Sequence, residues 1–136
     1  MIEAVNRQRK VKIDTKAWEV FAARVLAAIG SPECSATIAF VSDKTIRQLN
    51  RQFRGIDKAT DVLSFPAADG DDKNLGDVAI SVDTATTQAK QNGLTLDEEV
   101  AQLILHGLLH LSGYDHETDK GEMNRLELRL RRKLGI

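Results

Sequence analysis

The sequence predicts an α+β fold: one mixed β-sheet of three to four strands carrying five or so helices, one of them a zinc-protease-like metal helix. Two short, β-branched apolar runs, residues 34–41 (CSATIAFV) and 75–82 (LGDVAISV), have the length and composition of sheet strands. Longer stretches with apolar residues at i, i+3, i+4 and i+7 alternate with them, which is the pattern of helices laid on a sheet. The third observation is residues 96–111, apolar on most sides, which predicts a helix buried in the body of the domain with its polar residues turned into a cleft.

Residues 1–13 mix Ile2, Val5, Val11 and Ile13 with basic residues and predict an edge strand. From Asp14 onward Trp18, Phe21, Ala22, Val25, Leu26 and Ile29 form a helical stripe that Gly30 and Pro32 stop. Such a stripe is core packing, and Trp18 needs no other role. Residues 34–41 follow as a central strand, with Cys34 a small core residue in it. Ser42 caps a second helix that points Ile46, Leu49 and Phe53 inward and bears Arg47 and Arg51 on its other face. A polar loop holding Arg54 then runs into a strand that Pro66 ends. Residues 67–74 (AADGDDKN) read as a surface loop whose aspartates lack the spacing and the bidentate glutamate of a calcium site.

The short connection before residues 75–82 predicts antiparallel pairing with residues 61–66. Residues 83–92 form a polar helix ending at Gly93, and Thr95 with Glu98 makes a capping box for the helix over 96–111. A last helix, about 119–134, sets Met123, Leu126, Leu130 and Leu134 on one stripe. Its basic residues Arg129, Arg131, Arg132 and Lys133 fall late, as the helix dipole favours; a nucleic-acid-facing patch is the alternative use for them.

A chain of 136 residues suits a single domain over 1–136 whose core needs no disulfide, and the one cysteine agrees with a reducing compartment. Residues 1–12 are too charged for a signal peptide and no apolar run reaches membrane-spanning length, so a cytoplasmic protein is expected. The net charge of -1 gives no global attraction to nucleic acid, so any such binding must rest on local patches.

All three histidines lie within residues 106–116 (HGLLHLSGYDH). His106 and His110, four apart on a helix, project from one face and can grip one metal ion. Gly113 lets the chain turn so that His116 closes the set, and three imidazoles with a water make an open tetrahedral zinc site. The spacing is that of the zinc-protease pattern HExxHxxGxxH, except that Gly107 stands where the glutamate belongs. That glutamate shuttles a proton in peptide hydrolysis, and losing it removes a transfer step worth about a hundred- to ten-thousand-fold. A glycine there would also let backbone or substrate approach the metal.

What remains suits phosphodiester cleavage in RNA. A Lewis acid polarises a phosphate oxygen or supplies hydroxide, an arginine balances charge, and RNA carries its own 2′-hydroxyl nucleophile. Arg54 is the candidate phosphate-side cation, a surface ion pair with Asp57 or Asp61 being its bland alternative. Tyr114 and Asp115 either orient a ligand or simply make the turn.

HGLLHLSGYDH resembles the signature of the YbeY family of bacterial metallo-endoribonucleases, and FRGIDKATDVLSFP and LGDVAIS resemble that family's two other blocks in the right order. The resemblance runs from about residue 35 to the C-terminal helix. It implies a zinc-dependent, single-strand-specific endoribonuclease acting in ribosomal RNA maturation, notably at the 3′ end of small-subunit RNA, and in ribosome quality control. It likewise implies His106, His110 and His116 as zinc ligands, Arg54 as the functional arginine, and ribosomal RNA, ribosomal subunits or assembly factors as partners. Ala59 departs from the proline common in the family after the lysine and loosens the loop slightly. Two other readings stand beside this one: a ribosome-assembly binding module with a structural zinc, and a zinc peptidase or amidase, against which Gly107 counts.

Overall fold

The computed structural model describes residues 1–68, 73–114 and 121–136. Among them the element order is β1 (Ile2–Asn6), α1 (Thr15–Ile29), β2 (Ser35–Val41), α2 (Asp43–Arg54), β3 (Val62–Pro66), β4 (Asn74–Ser81), α3 (Val82–Gln91), α4 (Leu96–Leu111) and α5 (Glu122–Leu134). The four strands form one sheet in the order β1-β2-β4-β3, in which β1, β2 and β4 run parallel and β3 pairs antiparallel with β4. The α+β expectation therefore holds, with four strands and five helices among the described residues. The last helix starts at Glu122, and the aspartates of residues 69–72 lie outside the described residues.

Strand alternation divides the core in two. Ile38, Phe40, Val78 and Ile80 face one side of the sheet, where α1, α3, α4 and α5 cover them. Leu63 and Ala79 face the other side, where Ile46 and Leu49 of α2 close over a much smaller cluster. Cys34 is buried in the larger core, and Trp18 packs edge-on to Phe21, as core residues do.

Phe53 departs from the expectation: it is 60% exposed, on the last turn of α2, and its ring meets that of Phe65 on the edge strand. The β3–β4 hairpin closes tightly at Gly76, which sits at φ +125° and where a Cβ would collide with the Phe65 carbonyl oxygen. Only glycine meets both demands, which accounts for its place in LGDVAIS.

The N-termini of α2 and α3 lock together. Asp43 Oδ1 accepts hydrogen bonds from Ser81 Oγ and Thr84 Oγ1, both 2.6 Å, while the Asp43 backbone N–H donates to Asp83 Oδ2 at 2.8 Å. That last bond, more than the ion pair with Lys10, holds the Asp83 carboxyl below its ordinary value against the opposing effect of burial.

At α4 the capping box is complete: Thr95 Oγ1 accepts from the Glu98 N–H at 3.1 Å, and Glu98 Oε1 accepts from the Thr95 N–H at 2.9 Å. Thr95→Ala is expected to lower stability by about 1 kcal/mol, read by denaturant unfolding at pH 7. The Thr95 N–H holds Glu98 below its ordinary pKa of 4.5. A depressed carboxyl stabilises the fold above its unfolded pKa and loses that contribution as pH falls through the folded one. The deficit of Glu98→Ala should therefore be present at pH 7 and close below about pH 4; a deficit constant from pH 7 to pH 3 would show that the carboxylate has no part in the cap.

Candidate metal centre and cleft

The helix α4 brings His106 and His110 to one face, as their spacing of four requires. Both rings are half-buried, their centroids 4.6 Å apart and nearly perpendicular, and their Nε2 atoms approach to 3.0 Å. Two nitrogens bound to one zinc at about 2.0–2.1 Å in a tetrahedral site lie about 3.3 Å apart, so this pair fits a shared metal with little adjustment. Among the described residues no group of three His, Cys, Asp or Glu side chains is placed to hold a metal; His116, the third expected ligand, and Asp115 lie outside those residues. Gly113, at φ +100°, makes the left-handed turn that the sequence required beyond the helix.

The two histidines open into a cleft of about 510 Å³. Residues Asp61–Ser64 and Pro66 on the edge strand form one wall, Gly113 and Tyr114 the end, and Arg54 the far rim. Arg54 is the last residue of α2 rather than part of the following loop, and Gly55 at φ +71° turns the chain immediately after it. It is exposed and makes no ion pair among the described residues. The bland alternative for it falls instead to its neighbour: Arg47 takes Asp57 in a two-pronged pair at 2.8 and 3.1 Å, which raises the arginine's pKa and lowers the carboxyl's. Asp61 is occupied by the Val62 N–H at 2.7 Å.

The structure supplies a different reason for Gly107 than access to the metal. Its Cα faces the sheet, where a Cβ would come within 2.8 Å of Val78 Cγ1, and its carbonyl accepts a hydrogen bond from Ser64 Oγ at 3.2 Å. The position that carries the proton-shuttling glutamate in zinc proteases here points into the core.

One residue near the site escaped the sequence reading. Glu127 of α5 is buried, and its Oε1 lies 3.3 Å from His106 Nδ1. The signal was available: Met123, Glu127, Leu130 and Leu134 are the buried positions of α5, so a carboxylate occupies a place on the apolar stripe. On the same helix Arg131 turns toward Glu127, whereas Arg129, Arg132 and Lys133 are exposed.

With the geometry established, comparison with known proteins is informative. A family model described as Endoribonuclease YbeY matches residues 3–135. A Koribacter versatilis protein of that name is 47% identical over 133 residues, which cover 97% of this chain and 85% of the relative. The Aquifex aeolicus protein of that name is 47% identical over 113 residues, covering 82% and 74%. The solution structure of a Thermotoga maritima protein superposes with a TM-score of 0.69 at 27% identity, over 98% of this chain and 89% of that one.

Gly107→Ala tests the packing account. Alanine is the better helix former by about 1 kcal/mol, yet Val78 is fully buried in an interior strand and stiff at χ1. The variant should lose about 1–3 kcal/mol in denaturant unfolding, and Val78→Ala in the same chain should make the added methyl group less costly. A Gly107→Ala protein as stable as the parent would show that the close contact does not constrain this position.

Proposed function

The chain belongs to the YbeY family of endoribonucleases, and on that premise we propose that it is a zinc-dependent endoribonuclease cutting single-stranded RNA, with ribosomal RNA, notably the 3′ end of the small-subunit RNA, as its substrate in maturation and quality control. The observation that carries the reading is the pairing, in one cleft, of two converging imidazole nitrogens with an arginine that makes no ion pair among the described residues. The cleft also fits the polymer: it runs along an edge strand, and Arg54 lines it.

In this reading His106, His110 and His116 hold the zinc, which when bound supplies Lewis acidity toward a phosphate oxygen. Arg54 binds the scissile phosphate from the opposite rim, where its planar guanidinium can engage two phosphate oxygens and balance the charge that grows on them. Gly107 offers no base, so the nucleophile's proton must leave by another route, and the 2′-hydroxyl of RNA is the intrinsic nucleophile that needs least help. The exposed ring of Phe53 adjoins Arg54 in sequence and presents an aromatic surface on which an unpaired base can stack, favouring single strands over duplex. A ribosome-assembly module with a purely structural zinc accounts less well for an open cleft that sets an arginine in the same lining as the histidines.

Purified protein loaded with zinc should cleave single-stranded RNA. His110→Ala should abolish both cleavage and zinc uptake, whereas Arg54→Ala should keep the zinc and the fold and lose about a hundred- to a thousandfold in rate. Cleavage by His110→Ala at the parental rate would overturn the reading. A 2′,3′-cyclic phosphate end on the product identifies the 2′-hydroxyl as nucleophile; a 5′-phosphate end identifies water.

A further inference from the structure

Glu127 has a geometry that packing alone does not call for. Glu127 is 6% exposed, sits on the helix that follows α4, and meets His106 at the ring nitrogen opposite the one facing His110. An ionised carboxylate only accepts hydrogen bonds, so its contact at 3.3 Å favours the His106 tautomer that carries the proton on Nδ1. In that tautomer Nε2, the nitrogen that faces His110 at 3.0 Å, is the one that presents a lone pair to a metal.

Behind the carboxylate stands a counter-charge. Arg131, one turn further along α5, places a guanidinium nitrogen 3.8 Å from Glu127 Oε1, and its own Nε is buried without a hydrogen-bond partner among the described residues. A carboxylate removed from water is costly unless a positive group and hydrogen bonds attend it. Arg131 supplies the counter-charge, while the same carboxylate oxygen is aimed at His106. The three side chains line a small cavity of about 220 Å³ that shares Asp61, Val62 and His106 with the cleft and is also lined by Glu99 and Gln102.

We propose that Glu127 is a positioning residue for the metal centre: it fixes the tautomer and ring orientation of His106, and Arg131 supplies its counter-charge. The inference rests on the metal reading of the histidines given above. It deepens that reading by assigning the C-terminal helix, which contributes no ligand, a direct hold on one.

The test compares Glu127→Gln, which keeps the shape and removes the charge, with Glu127→Ala and the unaltered protein. Zinc affinity is measured by competition with a chromophoric chelator, and the His106 tautomer by nitrogen-15 NMR of the metal-free protein. Both variants should bind zinc about 10- to 100-fold more weakly, and the alanine variant should show His106 moving from the single Nδ1–H form to a mixture. The near-isosteric glutamine variant carries the test if the alanine variant does not fold. A folded variant that binds zinc within twofold of the unaltered protein, or an unchanged His106 tautomer, overturns the proposal and leaves the metal reading standing. Unaltered protein that takes up no zinc overturns both.

Discussion

The close seating of α4 on the sheet governs the rest of the molecule. Gly107 allows the helix axis to approach β4 until backbone and valine side chain are in contact, and Ser64 of the edge strand fastens the helix there through the Gly107 carbonyl. Because the helix is held at that depth, its histidines emerge beside the edge strand instead of above it, and the cleft forms between them and residues 61–66. The capping box fixes where the helix begins and Gly113 where it ends, so the imidazoles have little freedom to slide. A bulkier residue at position 107 would lift the helix and with it the whole wall of the site.

Much of this was legible in the chain. The strands declared themselves by β-branched content, α4 by its all-round apolarity, and the histidine pair by a spacing that only a helix makes meaningful. What escaped were properties that depend on where an element stops relative to its neighbours. Phe53 continues the apolar stripe of α2, so periodicity alone placed it inside, yet on the last turn of the helix it is exposed. Arg54 was read as a loop residue because the glycine after it signals a turn, and the helix continues right up to that glycine. Glu127 falls on the apolar stripe of α5, which marks it as buried, but its partner is set by the packing of α5 on α4, which periodicity does not carry. For Gly107 the sequence pointed correctly to a missing base and misassigned the reason for its absence, since what fills the space is Val78 and not a substrate.

The electrostatics of the site depend on which charges are already taken. Arg47 and Asp57 satisfy each other on the surface, Asp61 caps its own strand, and Asp43 and Asp83 are absorbed at two helix starts. Among the described residues Arg54 therefore makes no ion pair, and Asp61, which lines the same cleft, is turned to the Val62 N–H. The same economy appears behind the histidines, where buried Glu127 attends one imidazole and half-buried Arg131 attends Glu127.

The unequal cores on the two faces of the sheet have a consequence for the cleft. The histidine wall is embedded in the large cluster that joins α1, α3, α4 and α5, so displacing it means disrupting the domain. The arginine wall rests on α2, which covers only the small cluster and is held at its N-terminal end by the Asp43 network. The two walls of the cleft therefore differ in support: the large core sets the spacing of the imidazole pair, whereas Arg54 is placed by the Asn50 amide on the Lys58 carbonyl and by the Phe53–Phe65 ring contact.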